Sequence, residues 1–300
     1  MCGLIMDDNK RLDATSISNL VETFSKFNIH FDEGPKIGGK YGPYIQSQRL
    51  EIYKNLAKKL VQTKQLYPCF CTRHRLILIR KNAMKSGTIP QYDNRCRKLS
   101  EDEIQKFLND KLPYTLRMRV NQNIVLNWTD FIHGKINYSG VPEGDPIMVK
   151  VDGYPTYHFA HVIDDHLMKI THILRGLEWQ ISTWKHIALY HAFGWNPPKY
   201  GHLPVLMDGQ GKKLSKRNDA SNCLQFLKEG ILPETIIRYL LSIGLVDKAN
   251  STNFDFSNYT KNSLHVDLKA LYKMNKNTLI DKYKTEKDAV IGDILNLIEK

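Results

Sequence analysis

The chain has 300 residues, 42% of them hydrophobic, with five cysteines and a formal net charge of +12. That is apolar material for cores in more than one domain, and the positive balance points to a polyanionic partner, nucleic acid first. No apolar run approaches the ~18 residues that argue for a membrane span, and no signal-peptide pattern opens the chain, so the thiols are expected to be reduced.

In chain order, Ile17, Leu20, Val21, Phe24 and Phe27 fall at helical spacing within 12–31. The Gly- and Pro-dense stretch 32–44 reads as a loop. Ser47 opens a helix predicted to run to Gln65, with Leu50, Tyr53, Ala57, Leu60 and Val61 on one face. YPCFCT (67–72) reads as a strand entering a different module. Tyr114, Leu116, Met118 and Val120 alternate with Thr115, Arg117 and Arg119, which predicts a half-buried strand with a basic outer face. NIVLNW (123–128) and PIMVKV (146–151) read as further strands, so 69–150 is an α+β insertion.

From Gly153 the pattern changes. A helix is predicted to start near Thr156 in YPTYHFAHVIDDH (154–166), followed by a buried strand, THILRG (171–176). Glu178 to Phe193 is a helix with Trp184, Ile187, Ala188 and His191 on one face, stopped by Gly194. HLPVLM (202–207) is a strand leading into DGQGKKLSKR (208–217). After Asp219 the chain turns helical, with Pro233 near a helix start and Gly244 near its end. Strand, helix, strand and glycine-rich loop make α/β layering with a parallel sheet, whose ligands sit beyond the carboxyl ends of the strands.

Three pieces should converge at that edge. In the loop, Gly209 and Gly211 allow close backbone approach, and Lys212, Lys213, Lys216 and Arg217, with Ser215 between, suit a polyphosphate. A solvated basic turn is the plainer reading of the same charges. Tyr157 and His161 share a helix face, and Arg175 at a strand end offers a fork of donors that matches a carboxylate. Glu178 and Trp179 follow it, placed to hold an amine and a flat base. Core packing is the alternative for Tyr157 and Trp179, and an ion pair with Asp164 or Asp165 is the alternative for Arg175. The crowding of His158, His161, Asp164, Asp165 and His166 admits a metal site, but HExxH is absent and no metal is assigned there. Cys69, Cys71 and Cys96 could bring three thiolates together, whereas tetrahedral zinc takes four ligands. Lys98 cannot serve while protonated, and His74 and Tyr92 are merely nearby, so three structural thiols without metal is the favoured reading.

YHFAHVIDDHLMKITHILRGLEW, then HAFGWNPP, GHLPVL and KKLSKR, resemble the second half of a class I glutamyl-tRNA synthetase catalytic domain. DEGP, GG, YGPYIQSQRLEIY and YPCFCT fit the same family upstream, and PQYDNRCRKLS and EGDPIMVKVDGYPTYH look most like its animal mitochondrial form. The resemblance runs in order from about Asp32 to the end. It implies an α/β, Rossmann-type catalytic domain, incomplete here, split by an acceptor-binding insertion and followed by a helical stem-contact region. The corresponding pieces are 1–68 and 151–220 for the catalytic domain, 69–150 for the insertion and 221–300 for the stem-contact region. It also implies ATP-dependent ligation of glutamate to tRNA through glutamyl-adenylate, with Mg2+ assisting. Its partners would be L-glutamate and tRNA(Glu), with tRNA(Gln) as a further acceptor, and a monomer is expected. By the same likeness Tyr157, His158, Phe159, Ala160, His161, Arg175 and Trp179 bind glutamate. Glu178, Lys213, Leu214, Ser215, Lys216 and Arg217 bind ATP, with Lys213 and Lys216 catalytic. His161 departs from the family, where many bacterial members have Asn. The HIGH-type motif has no counterpart before Asp32, and LIMDD keeps only an acidic remnant of the segment that follows it. The resemblance therefore implies a truncated synthetase that also stops short of the anticodon-binding domain. The alternative is a tRNA-binding paralogue without adenylation activity. The compartment implied is the mitochondrial matrix, with cytoplasm as the alternative.

Overall fold

The structure, a computed structural model, describes residues 14–35, 37–214, 223–246, 256–288 and 291. Helix α1 (Ala14–Lys26) realises the first predicted helix. A 3-10 turn (Gln46–Arg49) leads into α2 (Leu50–Gln62), which buries Tyr53, Ala57 and Leu60. The helix stops short of Gln65 because Lys64 adopts a left-handed conformation, φ +57°. Strand β1 (Leu66–Cys69) is shorter than YPCFCT suggests. Two helices with no fully buried residue follow, α3 (Arg73–Lys85), capped by Thr72, and α4 (Glu101–Asn109), opened by a Ser100/Glu103 capping box and half-burying Ile104, Phe107 and Leu108.

Strand β2 (Thr115–Met118) pairs antiparallel with β1 on one side and with β5 (Ile147–Val149) on the other. Its predicted basic outer face does not exist at Arg117, which is 5% exposed. As the central strand it is covered on both faces. The Arg117 guanidinium lies 3.6 Å from the Tyr92 ring centroid and donates to the Asp145 carbonyl at 2.6 Å. Tyr114, expected on the inner face, is exposed.

A hairpin of β3 (Val125–Asp130) and β4 (Gly134–Ser139) precedes α5 (Tyr157–Leu167), β6 (His172–Gly176), a 3-10 turn (Leu177–Ser182), α6 (Thr183–Phe193) and β7 (Lys199–Leu203). The four-stranded sheet runs β4-β3-β7-β6, with β7 parallel to both β3 and β6. The α/β layering is as predicted. Two details differ. Strand β6 stands at the sheet edge among the described residues, so Ile173 is buried while Leu174 is 47% exposed. Strand β3, inside the 69–150 segment, continues the sheet that holds β6 and β7. Gly194 ends α6 in the left-handed conformation its position requires, φ +71°.

HLPVLM is not one strand. β7 ends at Leu203, Pro204 has no N–H to continue a ladder, and β8 (Leu206–Met207) pairs with β9 (Leu264–His265) in a separate two-stranded sheet. Helices α7 (Cys223–Lys228), α8 (Pro233–Gly244) and α9 (Leu268–Thr285) pack around Ile231, Ile236, Tyr239 and Leu271. The main core lies between α2, α5, α6 and the sheets, around Phe159, Ile163, Trp184 and Tyr190. Asp164 of α5 accepts from Arg49 Nε (2.7 Å), Tyr53 Oη (2.8 Å) and Gln46 Nε2 (3.0 Å), binding α5 to α2 through a buried ion pair. No described helix is long and apolar enough to cross a membrane.

Candidate functional site

Arg175 is the penultimate residue of β6, and the parallel register sets it directly opposite His202 of β7. Its Nε donates to His202 Nε2 at 3.0 Å, Nη1 to His186 Nδ1 at 3.0 Å and Nη2 to Thr183 Oγ1 at 2.8 Å. His161 Nε2 stands 3.5 Å from Nη1. All of these acceptors are neutral groups. Among the described residues no carboxylate pairs with this guanidinium, although Asp165 is close enough to act on it. Burial, and then the neighbouring Asp164, push the Asp165 carboxyl up to about 8 against the pull of Arg175, so it is mostly protonated at neutral pH. The ion pair considered for Arg175 is thus absent: Asp164 belongs to Arg49, and Asp165 is a neutral acid.

The donors of Arg175 also dictate tautomers. His186 accepts at Nδ1, so its Nε2–H donates to His158 Nδ1 at 2.9 Å. Burial, followed by the charges of Lys185 and Arg175, lowers His158 to about 4. Burial and Arg175 lower His161 to about 3, so its 3.0 Å approach to Asp165 Oδ2 is a contact between neutral groups. A metal site among these histidines is disfavoured by the cation at their centre, and the histidines serve it as hydrogen-bond acceptors instead.

Tyr157, His161 and Trp179 form one aromatic wall. Tyr157 stacks on His161 with centroids 5.2 Å apart and leans on Trp179 at 4.5 Å. Tyr157 remains 43% exposed, so its face is available to a ligand rather than lost in the core. Phe159 and Ala160, expected beside it, are a correction: both are buried in the main core, Phe159 on the far side of α5 against Phe193.

Glu178 follows one turn on and pairs with Lys213 across 2.6 Å, which holds its carboxyl below the usual range. Lys213 bridges back to Met207, and Leu214 N donates to Leu206 O at 2.9 Å. The loop is shaped by Asp208, whose Oδ1 accepts from the Gln210 and Lys212 amides, and by Gly211 at φ +75°. The described parts of the three predicted pieces therefore meet at one sheet edge. Ser215, Lys216 and Arg217 lie outside the described residues.

The polar neighbours that hold Arg175, namely Asp130, Thr183, His186 and His202, were not singled out in the sequence. Their signal is faint: each is a polar residue at a position where the local pattern calls for an apolar one, and each is fully buried. A cavity of about 980 Å3 between α2, α4 and the β1-β2-β5 sheet contains none of these residues.

A second polar cluster lies in the insertion. The Sγ atoms of Cys69, Cys71 and Cys96 fall within 4.8 Å of one another. Tyr92 Oη stands 3.3 Å from Cys69 Sγ and 3.7 Å from Cys71 Sγ. A hydrogen bond from Cys96, aided by Tyr92 and the Cys71 amide, lowers the Cys69 thiol against its burial.

Residues 5–281 match the family model described as tRNA synthetases class I (E and Q), catalytic domain. The chain is 41% identical over 277 residues to a glutamate–tRNA ligase of Borrelia recurrentis, covering 92% of this chain and 54% of that one. To the glutamate–tRNA ligase of Clostridioides difficile it is 38% identical over 262 residues, 85% of this chain and 53% of the relative. A crystal structure of a glutamate tRNA ligase from Elizabethkingia meningosepticum, in complex with its amino acid, superposes with a TM-score of 0.83 at 32% identity. That match covers 92% of this chain and 62% of the other. The chain spans about half the length of the curated relatives it matches.

Proposed function

The chain belongs to the family of class I tRNA synthetases for glutamate and glutamine, and on that premise we propose that it binds L-glutamate for ATP-dependent ligation to tRNA. The observation that carries this reading is the guanidinium of Arg175, half-buried at a strand end and surrounded only by neutral acceptors. Of the five N–H donors of an arginine, those bonds engage three, which leaves a free hydrogen on Nη2 and one on Nη1 held only by the 3.5 Å approach to His161, both within reach of a ligand carboxylate. A cation so placed lacks an anion, and the glutamate side chain supplies one. Tyr157, His161 and Trp179 provide the wall along which the amino acid lies.

The chemistry is an in-line attack of the glutamate α-carboxylate on the α-phosphorus of ATP. The P–O bond to pyrophosphate breaks as glutamyl-adenylate forms, and the glutamyl group then passes to the 3′ end of the tRNA. Positioning and charge neutralisation are the protein's contribution. Glu178 keeps Lys213 at the sheet edge, where its ammonium offsets negative charge growing on the leaving pyrophosphate, and Lys216 and Arg217 extend that role along the loop. Magnesium supplies further charge neutralisation on the phosphates.

Affinity for L-glutamate over L-glutamine tests the reading. A guanidinium has donors only, so the neutral amide of glutamine forfeits both the charge and one acceptor. Titration calorimetry should find glutamate bound at least about 100-fold more tightly, the worth of a desolvated polar group left unpaired. Equal affinities would remove Arg175 as the reader of the side chain.

The tRNA role rests on the charge of the chain and on α3, which buries none of its residues and displays Arg73, Arg80, Lys81 and Lys85 beside exposed Ile77 and Leu78. This surface supports an acceptor-binding role for the 69–150 insertion, whose strand β3 nonetheless joins the sheet of β6 and β7, between the catalytic pieces 1–68 and 151–220, with 221–300 as the stem-contact region. Charging of tRNA(Gln), a monomeric state and a mitochondrial location rest on the sequence resemblance alone, and the relatives named above are bacterial.

The thiol cluster fits zinc better than its sequence suggested, because Tyr92 supplies a fourth oxygen donor at its edge. Arg75, which donates to Cys71 at 3.5 Å, and Arg117, over the Tyr92 ring, offset the negative charge of such a set. Protein purified without chelator should carry about one zinc per chain, the content of a closed structural site, and Cys69→Ser should lose it. Elemental analysis near zero for the parent would leave a metal-free thiol cluster.

A further inference from the structure

Beyond the residues that face the substrate, one buried chain of hydrogen bonds crosses three adjacent strands and ends on Arg175. Asp130 closes β3 and is 1% exposed. Its Oδ1 accepts the backbone N–H groups of Ile132 and His133, each at 3.0 Å, and lies 3.4 Å from the His202 amide. Its Oδ2 faces His202 Nδ1 at 2.5 Å. Burial raises the Asp130 carboxyl, but the bonds from His202 and the two amides outweigh it and hold the group below the usual range, so it is a carboxylate. A carboxylate only accepts, so His202 Nδ1 must carry the proton. On the other side of the ring Arg175 Nε only donates, so His202 Nε2 must be bare. Asp130 and Arg175 therefore demand the same neutral tautomer, the Thr183 hydroxyl, 3.2 Å from the same Nε2, can donate to it as well, and the ring has no exposed surface through which water could substitute for any of them.

Resting on the glutamate reading of Arg175, we propose that Asp130 and His202 are positioning residues that aim this guanidinium: Asp130 selects the Nδ1–H tautomer of His202, whose Nε2 then anchors Arg175 Nε. The register places the parts. Arg175 and His202 are cross-strand partners of β6 and β7, and Asp130 pairs with Tyr200, two residues before His202 on the same strand. Anchoring Nε directs the two remaining Nη hydrogens, so an arginine that has no countercharge keeps one geometry while the site is empty. An imidazole held by a carboxylate in the wanted tautomer is the same device that orients general bases in hydrolases; here it orients a binding cation.

The decisive variant is Asp130→Asn, which retains the shape and an oxygen for the Ile132 and His133 amides but turns an NH2 toward His202 Nδ1. That donor drives the proton to Nε2, where it meets the Arg175 Nε–H head on. Three measurements on the full chain separate the outcomes. Nitrogen-15 NMR of the histidines should move His202 from the Nδ1–H to the Nε2–H tautomer, and the slowly exchanging Arg175 Nε–H signal should broaden or vanish. Glutamate affinity should fall roughly 10- to 100-fold, the usual worth of an orienting partner. In an Arg175→Ala background the same change should cost less than about twofold further, since there is then no guanidinium to aim. An unchanged tautomer and Nε–H signal in folded Asp130→Asn would overturn the proposal, as would a loss fully additive with Arg175→Ala, which marks a merely structural role. If the parent itself does not bind glutamate, the glutamate reading fails, and the two NMR signals still decide the relay.

Discussion

Replacing Arg175 with alanine is expected to weaken L-glutamate binding by about 100-fold or more, with no loss of stability. The binding estimate follows from two charge-assisted hydrogen bonds to one carboxylate, each worth about 1.5–3 kcal/mol, where 1.4 kcal/mol is a factor of ten. The stability expectation follows from the surroundings. Arg175 sits among neutral acceptors without an anion, so the folded protein bears the desolvation of a cation that ligand alone compensates. Burial lowers its pKa, the mark of a charge held at a cost. The melting temperature of Arg175→Ala should therefore equal or exceed that of the parent. Arg175→Lys, which keeps the charge and loses the fork, should fall between the two in affinity. If calorimetry gives Arg175→Ala the parent's glutamate affinity, a different cation reads the side-chain carboxylate.

Asp164→Ala should act in the opposite manner, costing about 3–5 kcal/mol of stability, the usual loss when one partner of a buried ion pair is removed. Arg49 is 1% exposed, and its remaining bond is to the Pro43 carbonyl at 2.8 Å. Without Asp164, Tyr53 and Gln46 also lose their acceptor, and the contact between α2 and α5 loosens behind the aromatic wall. Burial raises the Asp164 carboxyl, opposed by Arg49, Tyr53 and Gln46, so the pair depends on all of its donors. Urea denaturation should show the midpoint of Asp164→Ala far below that of the parent. The double change Arg49→Met, Asp164→Leu should recover most of the loss, because a well-packed apolar pair replaces the desolvated ions. A single-variant loss under about 1 kcal/mol, the scale of an exposed pair, would mean that the charges are solvated in solution.

Much of the site was legible along the chain. Tyr157 and His161 share a face because they are four residues apart on α5, and Arg175 and Glu178 flank a strand end that THILRG announces. Other features were readable but passed over. The Ser100-x-x-Glu103 capping box marks the start of α4 by itself. Arg117 misled, because strict alternation with Leu116 and Met118 is the usual sign of an outward face, while here β2 is central and an aromatic ring with a carbonyl receives the guanidinium. HLPVLM misled because its apolar run spans a proline that divides two sheets.

By itself, the order of residues determined the α/β class, the approximate helices and strands, the family and the cation-rich loop. These follow from periodicity and from short segments whose chemistry is local. Tertiary structure alone decided which groups hold Arg175 and which carboxylate goes unpaired with it. His202 is 27 residues from Arg175, Asp130 is 72 from His202, and Arg49 is 115 from Asp164. Such partners are set by strand register and helix packing, which no local pattern encodes. The sequence offered Arg175 two neighbouring acids, and the fold gave one to Arg49 and kept the other protonated, leaving the guanidinium free for a ligand.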